Sequence, residues 1–284
     1  MKSNGKRSWL SILVVAVLLL PAVSGGSEGQ SNAQPWETFS LSAGYFISDV
    51  DTSLRLGAGL GVDIDLEDLL GLDSTNSVFR VGGLWRFTDN QRHRLDLNWF
   101  SLSRDSTLEI LGDITFENDE GEEITIGAGT TVDSFFDLDI YQLSYSYSFF
   151  QDDRLDLAAG IGLYIMPIDL GLSTSGFVNE RASANFTAPL PVLGLRMDVA
   201  LTPRWYIRTG TQVFYVEYDN FTGSILSVAA AVEYKPWEHV GIGVGFDTLQ
   251  VNIEAEGEDW PEIDLRGKLE FNYTGLQLYL RLFF

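Results

Sequence analysis

Two histidines are the first residues to consider for acid–base chemistry, because a serine hydrolase needs a histidine between its nucleophile and a carboxylate. The chain contains only His93 and His239, and it has no cysteine. Thiol nucleophiles and cysteine-ligated zinc are therefore excluded. Neither histidine lies in a local nucleophile motif. We expect a protein that is not an enzyme, and a site built from carboxylates alone stays open as an alternative.

A second set of candidate residues is charged and occupies alternate positions in otherwise apolar runs. Its members are Arg80, Arg86, Arg94, Asp96, Asp156, Arg196, Asp198, Arg208, Glu233, Glu270 and Arg281. An unpaired buried charge is very costly, so these groups should pair across a narrow interior. We predict a plugged or very narrow interior in which inward glycines leave room for the arginines. The alternative is that the charges line a water-filled space.

The overall charge is strongly acidic: 40 acidic against 18 basic residues give a formal net charge of −22. This balance argues against a nucleic-acid partner, which would require a basic face. The acidic residues concentrate in 48–76, 105–139 and 254–264. They would keep a surface soluble and repel anions, or they would weakly bind divalent cations beside lipid phosphates. No other cofactor is expected.

The elements that carry these residues alternate apolar and polar side chains, which is the period of a β-strand. Tight-turn residues connect some runs, and long segments connect the others in alternation. The predicted strands are 38–47, 78–87, 94–104, 141–149, 155–165, 193–201, 205–215, 224–234, 239–246 and the C-terminal run. Ten strands are expected. Twelve would follow if Ser53–Leu60 added a hairpin, and eight if a pair at the rim were only loop.

This pattern predicts an all-β fold, a transmembrane antiparallel up-and-down β-barrel. Apolar residues would face lipid, polar residues would face inward, and aromatic residues would mark both membrane interfaces. Short turns would lie in the periplasm and the long acidic segments outside the cell. A secreted β-sandwich is the alternative.

The two ends of the chain point to export. Residues 1–24 read as a signal peptide, with Lys2, Lys6 and Arg7 before an apolar run. A membrane anchor is the alternative, although a spanning helix needs roughly 20 apolar residues. Residues 25–36 form a short leader, and 37–284 form the barrel. The last strand alternates through Leu280 and Leu282 to a terminal Phe284.

A C-terminal strand of this kind resembles that of outer-membrane β-barrels of Gram-negative bacteria. Three further segments resemble a family of mid-sized barrels with no assigned function, namely Leu66–Asp73, Ala188–Leu195 and Glu233–Gly241. The resemblance implies an outer-membrane location. It also implies that Leu280, Leu282 and Phe284 act as a signal for the barrel assembly machinery, and that lipid and lipopolysaccharide are partners.

Three functions follow as expectations. The first is a structural or surface-interaction barrel with a charged, closed interior and acidic external loops. The second is a narrow, porin-like diffusion channel that favours cations. The third is an enzyme at the outer rim, which both histidines disfavour because each follows a short turn on the periplasmic side. The oligomeric state is left open.

Overall fold

The computed structural model describes residues 35–56, 64–109, 113–117, 123–175, 181–218, 221–256 and 266–284. The predicted signal peptide and most of the predicted leader lie outside this range. Within it, no helix has the length and apolar character needed to cross a membrane.

Thirteen strands and one short helix make up the described part of the chain. They are β1 (Phe39–Leu56), β2 (Ile64–Asp65), α1 (Leu66–Leu70), β3 (Thr75–Arg86), β4 (His93–Glu109), β5 (Ile114–Glu117), β6 (Glu123–Ile126), β7 (Thr131–Gln151), β8 (Leu155–Ser175), β9 (Arg181–Ala200), β10 (Trp205–Tyr218), β11 (Phe221–Trp237), β12 (Val240–Glu256) and β13 (Arg266–Phe283). Ten of them pair antiparallel in the order β1, β3, β4, β7, β8, β9, β10, β11, β12 and β13.

The barrel closes where β13 pairs with β1, from Ser40 opposite Phe283 to Leu56 opposite Gly267. The predicted fold and the count of ten strands are confirmed. The twelve-strand alternative assigned Ser53–Leu60 to an extra hairpin. Ser53–Leu56 instead continue β1 and pair with β13, and residues 57–60 lie outside the described residues. The β5–β6 pair is a separate small sheet.

Four short turns lie at one end of the barrel, which we call the turn end: 87–92, 152–154, 201–204 and 238–239. The other five connections join the opposite ends of the strands, which we call the loop end. Three of these connections are long, whereas 176–180 and 219–220 are short. In bacterial barrels short turns face the periplasm and longer loops face outward. The loop end is therefore the outer one.

The strands are much longer than predicted. Partway along a strand, the apolar residues move from the outer face to the inner face, and the polar residues move the opposite way. In β7, Tyr141, Leu143 and Tyr147 face outward and are exposed, with serines behind them. Nearer the loop end the same strand buries Phe136 and Leu138 inside and exposes Asp137. The prediction required apolar residues on the outer face, so it stopped where the pattern inverted and assigned the remainder to loops.

Helix α1 lies at the loop end and covers the interior there. Asp65 accepts a hydrogen bond from the Asp68 N–H and caps its start, and Gly71 at φ 67° ends it in the left-handed conformation that glycine tolerates. Leu66 and Leu70 are buried below it. Glu67 accepts a hydrogen bond from the Thr52 N–H at 2.9 Å and forms an ion pair with Arg104.

Candidate functional site: the barrel interior

The interior has three layers between the turn end and the loop end. A charge cluster lies near the turns, a polar cavity occupies the middle, and an apolar core fills the loop-end half. Each layer is built from inward-facing residues of the same strands, since side chains alternate between the two faces of a strand.

The charge cluster brings together arginines and carboxylates from strands on all sides of the barrel. Asp198 of β9 lies at its centre, with Arg196 Nη1 at 2.7 Å and Arg94 Nη1 at 2.9 Å. Asp156 of β8 contacts Arg86 at 2.9 Å, and both side chains are fully buried. Arg94 also contacts Asp96 on its own strand. Charge-assisted pairs of this kind offset the desolvation of the individual ions.

A second part of the charge cluster crosses the closing seam between β1 and β13. Arg208 Nη2 lies 2.8 Å from Glu37, and Arg281 Nε lies 3.0 Å from Glu233. Arg208 also lies 3.4 Å from Glu233, and Arg281 lies 3.4 Å from Glu37. These four side chains therefore join β10, β11 and β13 to the segment before β1.

Glu37 is a member of the charge cluster that sequence reasoning missed. It precedes β1 and is buried, beside a Trp36 whose indole donates to the Asp152 carbonyl at 2.9 Å. Burial alone would raise the pKa of Glu37, but Arg208 and Arg281 outweigh it and hold that pKa well below its ordinary value. Glu37 is therefore held as a carboxylate across the turn-end opening.

Arg80 pairs with a second residue that sequence reasoning missed, Asp247. Their closest atoms are 2.7 Å apart, and the Tyr273 hydroxyl donates to Asp247 at 3.1 Å. The guanidinium lies 4.7 Å from the centre of the Phe100 ring, so this pair borders the apolar core rather than the charge cluster. Asp247 directly follows the predicted strand 239–246, which is why it was overlooked.

Glu270 is the one predicted interior residue that lies elsewhere. Leu269 and Phe271 are fully buried inside, so the intervening Glu270 faces outward. Its carboxylate pairs with Lys268 at 2.5 Å. The predicted set has six arginines and five carboxylates, and four carboxylates remain without Glu270. Glu37 and Asp247 bring the interior back to six of each.

The polar cavity between the other two layers has a volume of about 240 Å³. Amide and hydroxyl groups bridge its wall: Gln142 donates to Gln212 at 2.8 Å, and the Tyr164 hydroxyl donates to Gln212 at 2.6 Å. Inward glycines do make room here, but for side chains such as Tyr279, Gln277 and Asn98 rather than for arginines. A Cβ on Gly44 or Gly243 would lie within 2.7 Å of Tyr279.

The apolar core fills the interior at the loop end, in parts of the chain that the sequence prediction assigned mostly to loops. It contains twenty-five described residues, none more than 6% exposed. Phe46, Phe100 and Tyr273 contact one another edge to face. Phe271 contacts Tyr273 in the same way and stacks on Phe136. Side chains lining a water-filled channel would be exposed to water, so this layer is a dry, packed core.

The outer surface carries an exposed apolar belt around the turn-end half. It includes Leu193 at 65% exposed and Leu278 at 59%. It spans Leu155–Ile165 in β8 and runs from Leu276 in β13 to the terminal Phe284. About 9–11 residues of a tilted strand cross a membrane. Soluble proteins do not leave an apolar surface this large open to water. The belt is therefore the lipid-facing surface.

Comparison with solved structures agrees with this geometry. The outer membrane protease OmpT from Escherichia coli aligns with a TM-score of 0.52 at 11% identity, over 86% of this chain and 97% of that chain. The chain therefore has the fold of an outer-membrane β-barrel. At this identity the likeness concerns the fold alone. No protein-family model matches the chain, and no curated protein matches its sequence.

Two further solved structures align more loosely. Ail, the attachment invasion locus protein of Yersinia pestis, has a TM-score of 0.33 at 11% identity, over 86% of this chain and 99% of that one. The Pseudomonas putida toluene transporter TodX has a TM-score of 0.33 at 8% identity, over 86% and 89%. Structural similarity this low supports no inference about the function of this barrel.

The other candidate groups lie outside the interior. His93 Nδ1 lies 2.7 Å from the Tyr145 hydroxyl, and His239 Nδ1 lies 3.1 Å from the Phe283 carbonyl, both at the turn end. Several predicted loop acids, such as Asp49, Asp105 and Asp137, instead lie on the outer face of strands above the belt. Among the described residues, no three histidine or acidic side chains are grouped so as to hold a metal ion. The acids of 57–63, 118–122 and 257–265 lie outside the described residues.

Proposed function

We propose that this protein is a closed outer-membrane barrel with a structural and surface-interaction role, not a channel. The observation that carries the proposal is the apolar core. An ion crossing the barrel would have to pass a layer in which Phe46, Phe136 and Phe271 are fully buried. The free energy of placing an ion in such a medium is prohibitive without paired charges.

The surface part of the proposal rests on the loop-end half of the strands. This half extends beyond the apolar belt with acidic side chains on its outer wall and an apolar core inside. Such a wall favours cationic partners and repels anionic ones. The filled interior would keep it rigid, as a packed core does in a soluble domain.

A rim enzyme receives less support. The two histidines lie at the turn end, each with a hydrogen-bond partner, whereas chemistry on the outer leaflet requires groups at the loop end. The fold likeness to a protease brings no catalytic residues with it, because the chains are only 11% identical.

Planar-bilayer recording tests the closed interior. We expect no stable single-channel steps when the folded protein is added. Heat-modifiable migration on gels must first establish that the sample is folded. Reproducible steps from such a sample, with cation selectivity, would favour the diffusion-channel alternative and contradict the proposal.

A further inference from the structure

The seam between β9 and β10 is interrupted. Pairing runs from Ala200 opposite Tyr206 to Leu193 opposite Val213 and stops there, although β9 continues to Arg181 and β10 to Tyr218. Each strand stays paired with its other neighbour to its end. In the described residues the loop-end parts of β9 and β10 are therefore not paired with each other, and we call this interruption the slit.

Two prolines of β9 explain why its pairing stops on the β10 side but continues on the β8 side. The Ala200 N–H donates to Arg154 on the β8 side at 2.8 Å, and the Thr209 hydroxyl of β10 reaches the Met197 carbonyl at 3.1 Å. Successive backbone groups of a strand alternate sides, so odd-numbered residues of β9 point toward β10. Pro189 and Pro191 are odd-numbered and have no N–H to donate.

Apolar side chains of the core and its edge lie behind this slit. Leu190 and Val192 of β9 are buried behind it. Phe214 and Val216 of β10 face inward and pack on the core, yet they are only partly buried. In contrast, Leu249 lies behind the intact β11–β12 seam and is fully buried.

The β3–β4 seam is also interrupted, but there the chain covers the gap itself. Its pairing stops at Arg80 opposite Phe100. Beyond that point, Asn76 donates to the Ser103 carbonyl at 3.4 Å, and Arg104 donates to the Asp73 carbonyl at 3.5 Å. Among the residues of β9 and β10 whose side chains are described (187, 189–200 and 205–217), no equivalent contact covers the interruption.

We propose that the β9–β10 slit receives the hydrocarbon chain of an outer-leaflet lipid, which lies against Phe214 and Val216. The slit is continuous with the lipid-facing belt: Leu193 and Val213 lie directly below it in the belt. Pro189 pairs with Ile165, the last belt residue of β8, so the lower end of the slit opens at lipid level. This site goes beyond the proposed function and does not depend on whether ions cross the barrel.

The chemistry of the slit favours a hydrocarbon chain over an added peptide strand. A peptide that extended the sheet at β9 would find no N–H donor at Pro189 or Pro191. A hydrocarbon chain needs no hydrogen-bond partner and gains from the burial of apolar surface on both sides.

Photolabelling tests this site directly. The protein is reconstituted in phosphatidylcholine–phosphatidylethanolamine vesicles that contain a phospholipid with a diazirine on its acyl chain. After irradiation, mass spectrometry should find adducts on the inward-facing Phe214 and Val216, and none on Leu249. Adducts confined to outward-facing residues such as Leu193 and Val213 would overturn the proposal.

Closing the slit should remove the label. The P189V/P191V double variant restores two donors toward β10, and Val216→Trp fills the slit without changing the backbone. Either variant should lower labelling of Phe214 several-fold and leave Leu193 labelling unchanged. Pro167→Val in β8 is the matched control and should label like wild type. Unchanged Phe214 labelling in a folded slit variant would contradict the proposed entry route.

Discussion

Arg208 illustrates what a single residue does in this interior. Its guanidinium faces Glu37, Glu233 and Asp198, at 2.8 to 3.5 Å, from a largely buried position. A buried ion pair contributes little net stability by comparison with an apolar pair. Removing one partner is costly, however, because it leaves the other charge buried and uncompensated.

Replacing Arg208 with alanine should therefore destabilise the barrel by about 3–5 kcal/mol. The measurement is the temperature at which the folded band disappears on gels, together with denaturant unfolding in detergent. Arg204→Ala, in the exposed 201–204 turn, is the control and should stay within about 0.5 kcal/mol of wild type. Equal stability of the two variants would mean that Arg208 is solvated rather than paired.

The lowered pKa of Glu37 predicts that the stability of the folded barrel depends on pH. The pKa of Glu37 is lowered in the folded state, so its contribution to stability is fully present above the unfolded value of about 4.3. That contribution is lost as the pH falls through the lower, folded pKa. Glu37→Gln should be less stable than wild type at neutral pH and approach it in acid. Glu238→Gln, in an exposed turn, is the control, and its stability should depend on pH as that of the wild type does. If the stability of Glu37→Gln also ran parallel to the wild-type curve over pH, the Glu37 carboxylate would not stabilise the fold as proposed.

Alternation along the sequence was sufficient to indicate most of the charge cluster. It marked Arg86, Asp156 and Asp198 as inward because each lies two residues from another inward position. It could not indicate Glu37, which lies before the first strand, where no alternation exists. Its burial depends on how the chain crosses the barrel mouth, and that is a property of the closed fold.

At the scale of elements, each long strand serves two environments. Its turn-end half exposes apolar residues to lipid, and its loop-end half exposes polar residues to water and buries apolar ones. In β13 the change falls between the outward residues Leu276 and Thr274. A single strand can do this because successive side chains point to opposite faces. The residue types on the outer face can therefore change along the strand independently of those on the inner face.

A matched pair of substitutions in β13 tests that boundary. Leu278→Arg places a charge on the lipid-facing belt and should cost about 2–4 kcal/mol. Asn272→Arg places the same charge on the same face above the belt and should cost no more than about 0.5 kcal/mol. Unfolding from lipid vesicles gives both values. Similar costs would indicate that the lipid boundary lies elsewhere.

The sequence could predict where strands cross the membrane but not where they end. The turn residues and the outward apolar positions located ten strands in the correct order. The loop-end halves were missed because their pattern is that of a soluble sheet, with Leu138 and Ile168 inside and acids outside. The 66–73 segment was singled out only as a resemblance, although Asp65 and Gly71 are suitable caps for the helix found there.

At the scale of the whole molecule, the barrel combines a membrane domain with a packed core that extends outward from it. The charge cluster and the apolar core occupy opposite ends of the interior, with the polar cavity between them. The expectation of a charged interior therefore describes only the turn-end half. Packing among residues far apart in sequence, such as Phe46 and Phe100, cannot be inferred from alternation alone.

The reactivity of a cysteine at Met166 tests the dry core most directly. The natural chain has no cysteine, and Met166 is a fully buried inward residue of β8. In folded Met166→Cys we predict that a water-soluble methanethiosulfonate reacts orders of magnitude more slowly than it does with Thr274→Cys, which faces water above the belt. Equal rates at the two positions would show that water fills this part of the barrel and would contradict a closed interior.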